Sequence, residues 1–173
     1  MFERLFNRRP PADLTSLWHG IVAIAREPHW YERDGAADNL EGRFDMICAV
    51  LSLVLLRLEQ ENAGETAARL TELFIDDMDG QLREAGVGDL VVGKRMGKLM
   101  SALGGRLGAY RAGLQDSDGN LAKAARRNIT TLDPEDDGTR LASGLREQQM
   151  RLAAVPMADL LQGNIATLPD NPK

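Results

Sequence analysis

An all-α fold is predicted by three features of the chain. Apolar residues recur at helical spacing through most of it, and no segment alternates apolar and polar residues as a half-buried strand would. Proline, glycine and Asn/Asp clusters interrupt the pattern between the periodic stretches. At 173 residues the chain fits a single domain around one core. The expected organisation is a basic amphipathic segment over 1–12, a helical domain over 13–162 and a loose tail over 163–173. About six to seven helices should pack around a central apolar helix at about 40–60.

Composition excludes several classes. The net charge of −5 argues against a general nucleic-acid binder, which needs a basic excess to neutralise phosphates. The single cysteine, Cys48, lies in an apolar run, so neither an intrachain disulfide nor a cysteine-based zinc or iron–sulfur site is expected, and a reducing compartment fits. The N-terminus carries arginines without an apolar signal core. Met46 to Leu56, the longest apolar run, is far shorter than the roughly 20 residues that cross a bilayer. A soluble or peripheral protein is expected.

In chain order, Phe2, Leu5 and Phe6 with Arg4, Arg8 and Arg9 suit either an anionic membrane surface or docking on the body of the protein. Asp13 or Thr15 caps a first helix to about Arg26, with Leu14, Leu17, Trp18, Ile21 and Ile24 at helical spacing. Pro28 ends it, and His29 to Asn39 reads as a turn whose Trp30 and Tyr31 either cover a core edge or anchor a partner. The second helix, Leu40 to Gln60, is apolar nearly all round and so should be buried nearly all round. Asn62-Ala63-Gly64 breaks it. The third, about Glu65 to Ala85, turns Leu70, Leu73, Phe74, Met78 and Leu82 inward.

Gly86 and Gly88 form a corner, and Asp89 caps a fourth helix to about Leu114. Its apolar stripe is Met96, Leu99, Met100, Leu103, Leu107 and Tyr110. Gly93, Gly97, Ser101, Gly104, Gly105 and Gly108 occupy the adjoining arc, and Arg95 and Arg106 the other flank. Each interior glycine costs a helix roughly 1 kcal/mol relative to alanine, so either something approaches this helix closely or the helix bends. The visitor is either an internal helix or a helix of another protein, for which Lys94, Lys98, Arg95 and Arg106 would form the charged rim. Three shorter helices follow, at about 121–129, 139–155 and 157–161.

Catalytic motifs are weak. Gly88 to Lys94 matches GxxxxGK, but Arg95 stands where a phosphate loop needs Ser or Thr, and no strand precedes it. The acidic turns at 77–80, 116–119 and 133–138 lack the terminal glutamate of a calcium loop, and His19 and His29 have no metal-ligand spacing. No serine or cysteine sits in a nucleophile motif. Binding without chemistry, and without a cofactor, is expected.

The run from Leu73 to Tyr110 resembles the signature block of the ubiquinol–cytochrome c chaperone family, assembly factors of the cytochrome bc1 complex. Phe74, Met78-Asp79, Arg83-Glu84, Gly86-Val87-Gly88-Asp89, Lys94 to Lys98, Gly105-Arg106 and Tyr110 occur in order and at the appropriate spacing. The first helix, Trp30-Tyr31 and Phe44-Asp45 extend the similarity to roughly residues 14–155. The resemblance implies a non-enzymatic chaperone that binds newly made cytochrome b. Mitochondrial members also work at the ribosome; the short N-terminus here is similar to a bacterial member on the cytoplasmic face of the inner membrane, which leaves ribosome contact open. The partner-binding residues expected on this basis are Trp30, Tyr31, Asp79, Arg83, Asp89, Lys94, Arg95, Gly97, Lys98, Gly105, Arg106 and Tyr110. A helical adaptor for a soluble client, a homodimer burying the glycine face, and a haem or small-ligand carrier using His19 or His29 are the alternatives.

Overall fold

The structure, a computed structural model, describes residues 13–84, 89–116 and 118–165. The corner at Gly86 and Gly88, the basic N-terminal segment and the last eight residues lie outside the described residues. The described residues form eight helical segments and no strand: α1 (Thr15–Ala25), α2 (His29–Glu32), α3 (Leu40–Gln60), α4 (Gly64–Glu84), α5 (Asp89–Gln115), α6 (Asp118–Asn128), α7 (Thr139–Ala154) and α8 (Met157–Leu161). The all-α class holds, and the segment beyond the expected set is the single turn α2.

Helix α3 is the axis of the molecule. Every residue from Asp45 to Leu56 is buried, as expected for a helix with apolar side chains on all faces. Asn39 caps it, its side chain accepting from the Gly42 N–H at 2.9 Å. Asn62, with φ 56°, turns the chain out of the helix. Around this axis α1, α4, α5 and α7 pack directly; α6 bridges α5 and α7, and α8 closes on α1. Gly163 and Ile165, just beyond α8, pack against α1: an added Cβ at Gly163 would stand 2.5 Å from the Ser16 carbonyl oxygen, and Ile165 is buried.

Trp30 and Tyr31 finish α1. The Trp30 indole N–H donates to the Ile24 carbonyl at 2.8 Å and the Tyr31 hydroxyl to the Ala25 carbonyl at 2.6 Å. The Ala25 carbonyl, left without a backbone donor among the described residues at the helix C-terminus, is thereby satisfied, and the Ile24 carbonyl, which also accepts from the Glu27 N–H, gains a further donor. These bonds draw the segment after Pro28 back onto α1, where it winds into α2 instead of remaining an open turn.

The acidic turn before α7 is a capping structure. The Asp136 carboxylate accepts from the Gly138 N–H and from Arg140, and Asp137 accepts from the Thr139 N–H. Gly138 itself adopts φ 78°, and an added Cβ there would meet the Ala122 carbonyl at 2.5 Å. The Arg140 guanidinium, then the Gly138 N–H, hold the Asp136 carboxyl below the usual carboxylate range. Such a group adds stability that is present above the ordinary carboxylate pKa of about 4 and is lost as pH falls through the lowered value. Asp136→Asn should therefore lower stability at pH 7 and flatten its decline in that acid range, as read by urea melts across pH. Gly113 supplies a second check on packing: an added Cβ would lie 2.8 Å from Leu121 Cα, so Gly113→Ala should destabilise the α5/α6 contact by about 1–3 kcal/mol in the same melts.

Candidate interaction surface

A carboxylate on the buried stretch of α3 needs a partner, and two other elements supply one. Asp45 is 7% exposed. It accepts from Arg106 Nη2 of α5 at 2.5 Å, from the Thr130 N–H at 2.9 Å and from the Thr130 hydroxyl at 2.8 Å. The Arg106 guanidinium also lies over the Phe44 ring, 5.7 Å from its centroid. Phe44 stacks on Phe74 of α4 at 6.4 Å, and Phe74 meets Trp18 of α1 edge-on at 5.8 Å. One polar knot and a chain of rings thus join α1, α3, α4, α5 and the α6–α7 loop. Burial pushes the nearby Cys48 thiol up to about 11 against the opposing charge of Arg106, so it is a neutral core side chain at pH 7. Burial likewise raises the pKa of Tyr110.

The knot divides α5. On its C-terminal side Tyr110 is fully buried, Gly113 touches α6, Arg111 holds Glu59 with two bonds, and Arg146 donates to the Gly113 and Leu114 carbonyls. On its N-terminal side Leu103 is buried and Leu99 half-buried, but Gly93, Lys94, Gly97, Lys98, Ser101 and Ala102 are exposed and Met100 is 37% exposed. At Gly93, Gly97, Gly104, Gly105 and Gly108 an added Cβ would meet nothing within 4 Å. Among the described residues no internal helix fills the glycine arc. The close internal approach is made at Gly113, outside that arc, where the sequence pattern carries no distinguishing signal.

The expected site residues separate into three groups. Lys94, Gly97, Lys98 and Gly105 share the open face of α5, and Asp79 and Arg83 form an i,i+4 pair at 2.7 Å on α4. Asp89 opens α5 and Arg95 lies on it, but their side chains, like that of Met96, are outside the described residues. Trp30, Tyr110 and Arg106 lie away from that open face. Trp30 and Tyr110 are fully buried, because one caps α1 and the other packs on the core side of α5. Arg106 faces α3, away from the glycine arc, and is engaged by Asp45 in an ion pair. Tyr31 is half-buried with its hydroxyl committed to Ala25. Asp45 and Thr130 are the residues that sequence reasoning missed. The available signal was a carboxylate inside a helix predicted to be buried on all sides, which demands a counter-charge without saying where in the chain it lies.

The described helical bundle thus sets an open, glycine-rich face of α5 beside a buried ion-pair knot. The chain belongs to the ubiquinol-cytochrome C chaperone family, whose pattern matches residues 32–168. It is similar to the crystal structure of the Cbp3 homolog from Brucella abortus, with 31% sequence identity, a TM-score of 0.75, and coverage of 90% of this chain and 88% of that one. No match is found among curated protein sequences.

The knot is open to a double-mutant cycle. Arg106→Met should destabilise the fold by about 3–5 kcal/mol, because it strands a buried carboxylate, whereas Asp45→Leu with Arg106→Met should recover much of that loss. Additive losses in chemical denaturation would show that the two side chains act separately.

Proposed function

We propose that this chain is a non-enzymatic assembly chaperone that binds newly made cytochrome b and supports biogenesis of the cytochrome bc1 complex. Membership of the family supports the general role, and one observation supports the place: a helix that carries five glycines facing open space, beside exposed Met100 and the cations Lys94 and Lys98. In the free chain those glycines weaken α5 by roughly 1 kcal/mol each without any packing return. A client helix pressed onto the arc would use them, since small residues permit backbone contact, and a methionine adapts to varied apolar surfaces. The lysines suit the carboxylates or phosphates near the end of a membrane helix. No described helix is long and apolar enough to cross a membrane. In this reading the chaperone meets its client from the cytoplasmic side, at the inner face of the membrane.

The open space makes the proposal separable from stability. Gly97→Leu and Gly105→Leu should leave the melting temperature unchanged or raise it, because an added Cβ meets no atom within 4 Å at either position and leucine is the better helix former. Capture of newly translated cytochrome b from membranes should nonetheless fall about tenfold, a loss of about 1.4 kcal/mol. Equal capture by wild type and both variants would remove the glycine face from the site. Failure of the wild-type chain to capture cytochrome b would remove the client, in favour of a soluble partner.

A further inference from the structure

The segment Ile129 to Leu132, between α6 and α7, is hydrogen-bonded along one edge. The Ala37 N–H donates to the Thr130 carbonyl and the Leu132 N–H to the Gly35 carbonyl, both at 2.9 Å, which makes Ala36 and Thr131 an isolated antiparallel bridge. In this arrangement the central residues are the non-hydrogen-bonded pair, whose own N–H and C=O groups point away from each other. Among the described residues neither the N–H nor the C=O of Thr131 has a hydrogen-bond partner. The same residue lines a groove of about 620 Å³ together with Phe44, Ile129, Pro134, Arg126 and Arg127. Arg126 and Arg127, exposed on the last turn of α6, hold no carboxylate among the described residues, whereas Arg106, Arg111 and Arg140 each hold one. Arg126 lies close enough to Asp136 and Asp137 to help hold both carboxyls low, which leaves Arg127 the freer cation.

We infer that this groove receives an extended acidic peptide segment, laid beside Thr131 as an added strand. The guest backbone would pair with the Thr131 N–H and C=O, the mode by which exposed strand edges take peptides. An apolar side chain would rest on Phe44 and Pro134, and a neighbouring carboxylate would reach Arg127. Glu41, also on the groove wall, restricts the guest to few carboxylates. A broad anionic membrane surface suits the site less well. The adjoining loop carries Asp133, Glu135, Asp136 and Asp137, which such a surface would repel, whereas a short segment can place one carboxylate on Arg127 without crossing them. The site is distinct from the α5 face, so its failure leaves the cytochrome b reading intact.

The test is a ¹⁵N amide titration of the full chain with acetyl-Gly-Leu-Glu-Val-Gly-amide, beside the same peptide with Gln for Glu. Saturable shifts should centre on the Thr131 and Arg127 amides, and affinity should fall about tenfold with the Gln peptide, with Arg127→Glu, or at high salt. Thr131→Pro, which removes an N–H that the fold does not use, should weaken binding similarly. If that variant unfolds, Arg127→Glu, on an exposed turn, decides the matter alone. No shift at Thr131 with millimolar peptide, equal affinity for the two peptides, or a response of these amides to phosphatidylserine vesicles but not to peptide would overturn the proposal.

Discussion

The contact between Asp45, Arg106 and Thr130 is the constraint on which the arrangement depends. A carboxylate in the buried part of α3 is tolerable only with its charge balanced and its lone pairs occupied, and three bonds from two distant elements accomplish this. Apolar packing alone would hold α5 against α3 without fixing its rotation. The ion pair orients it, because a planar guanidinium between a carboxylate and the Phe44 ring allows little variation. Thr130 transmits the same constraint to the α6–α7 loop, and so sets the position of the edge that carries Thr131.

Rotation decides which side of α5 meets water. With Arg106, Leu103 and Tyr110 turned towards the core, the glycine arc must face outward. The helix consequently has two regimes. Its C-terminal part is clamped by α3, α6 and the Arg146 and Arg111 bonds, while residues 97–102 have little cover beyond half-buried Leu99. A stretch low in helix propensity and sparse in packing is a stretch of low local stability. Held in a known orientation by the knot, it is well placed to be completed by another chain, the role that its membership of a chaperone family leads one to expect.

Much of this fold was legible in the sequence, and the exceptions have physical causes. The central helix has the expected bounds, Leu40–Gln60, and the expected burial, because an apolar pattern on every face has one stable solution. The last helix, Met157–Leu161, also begins and ends where Pro156 and the following polar residues place it. Helix α2 escaped because one turn offers no periodicity, and its cause lies in hydrogen bonds from Trp30 and Tyr31 to α1. At the candidate site the glycine arc could be drawn by helical arithmetic, as could the flank that holds Arg106. Which flank meets α3 could not, since a long basic side chain suits a solvated rim as well as a buried pair. Only the position of Asp45, 61 residues earlier, settles it.

Hydrogen exchange on the full chain, free and bound to newly made cytochrome b, tests the central claim most directly. Amides of residues 93–102 should exchange quickly in the free chain and become protected on binding, while those of 106–115 should be protected in both states. Unchanged exchange across 93–102 in a complex that has demonstrably formed would contradict the account.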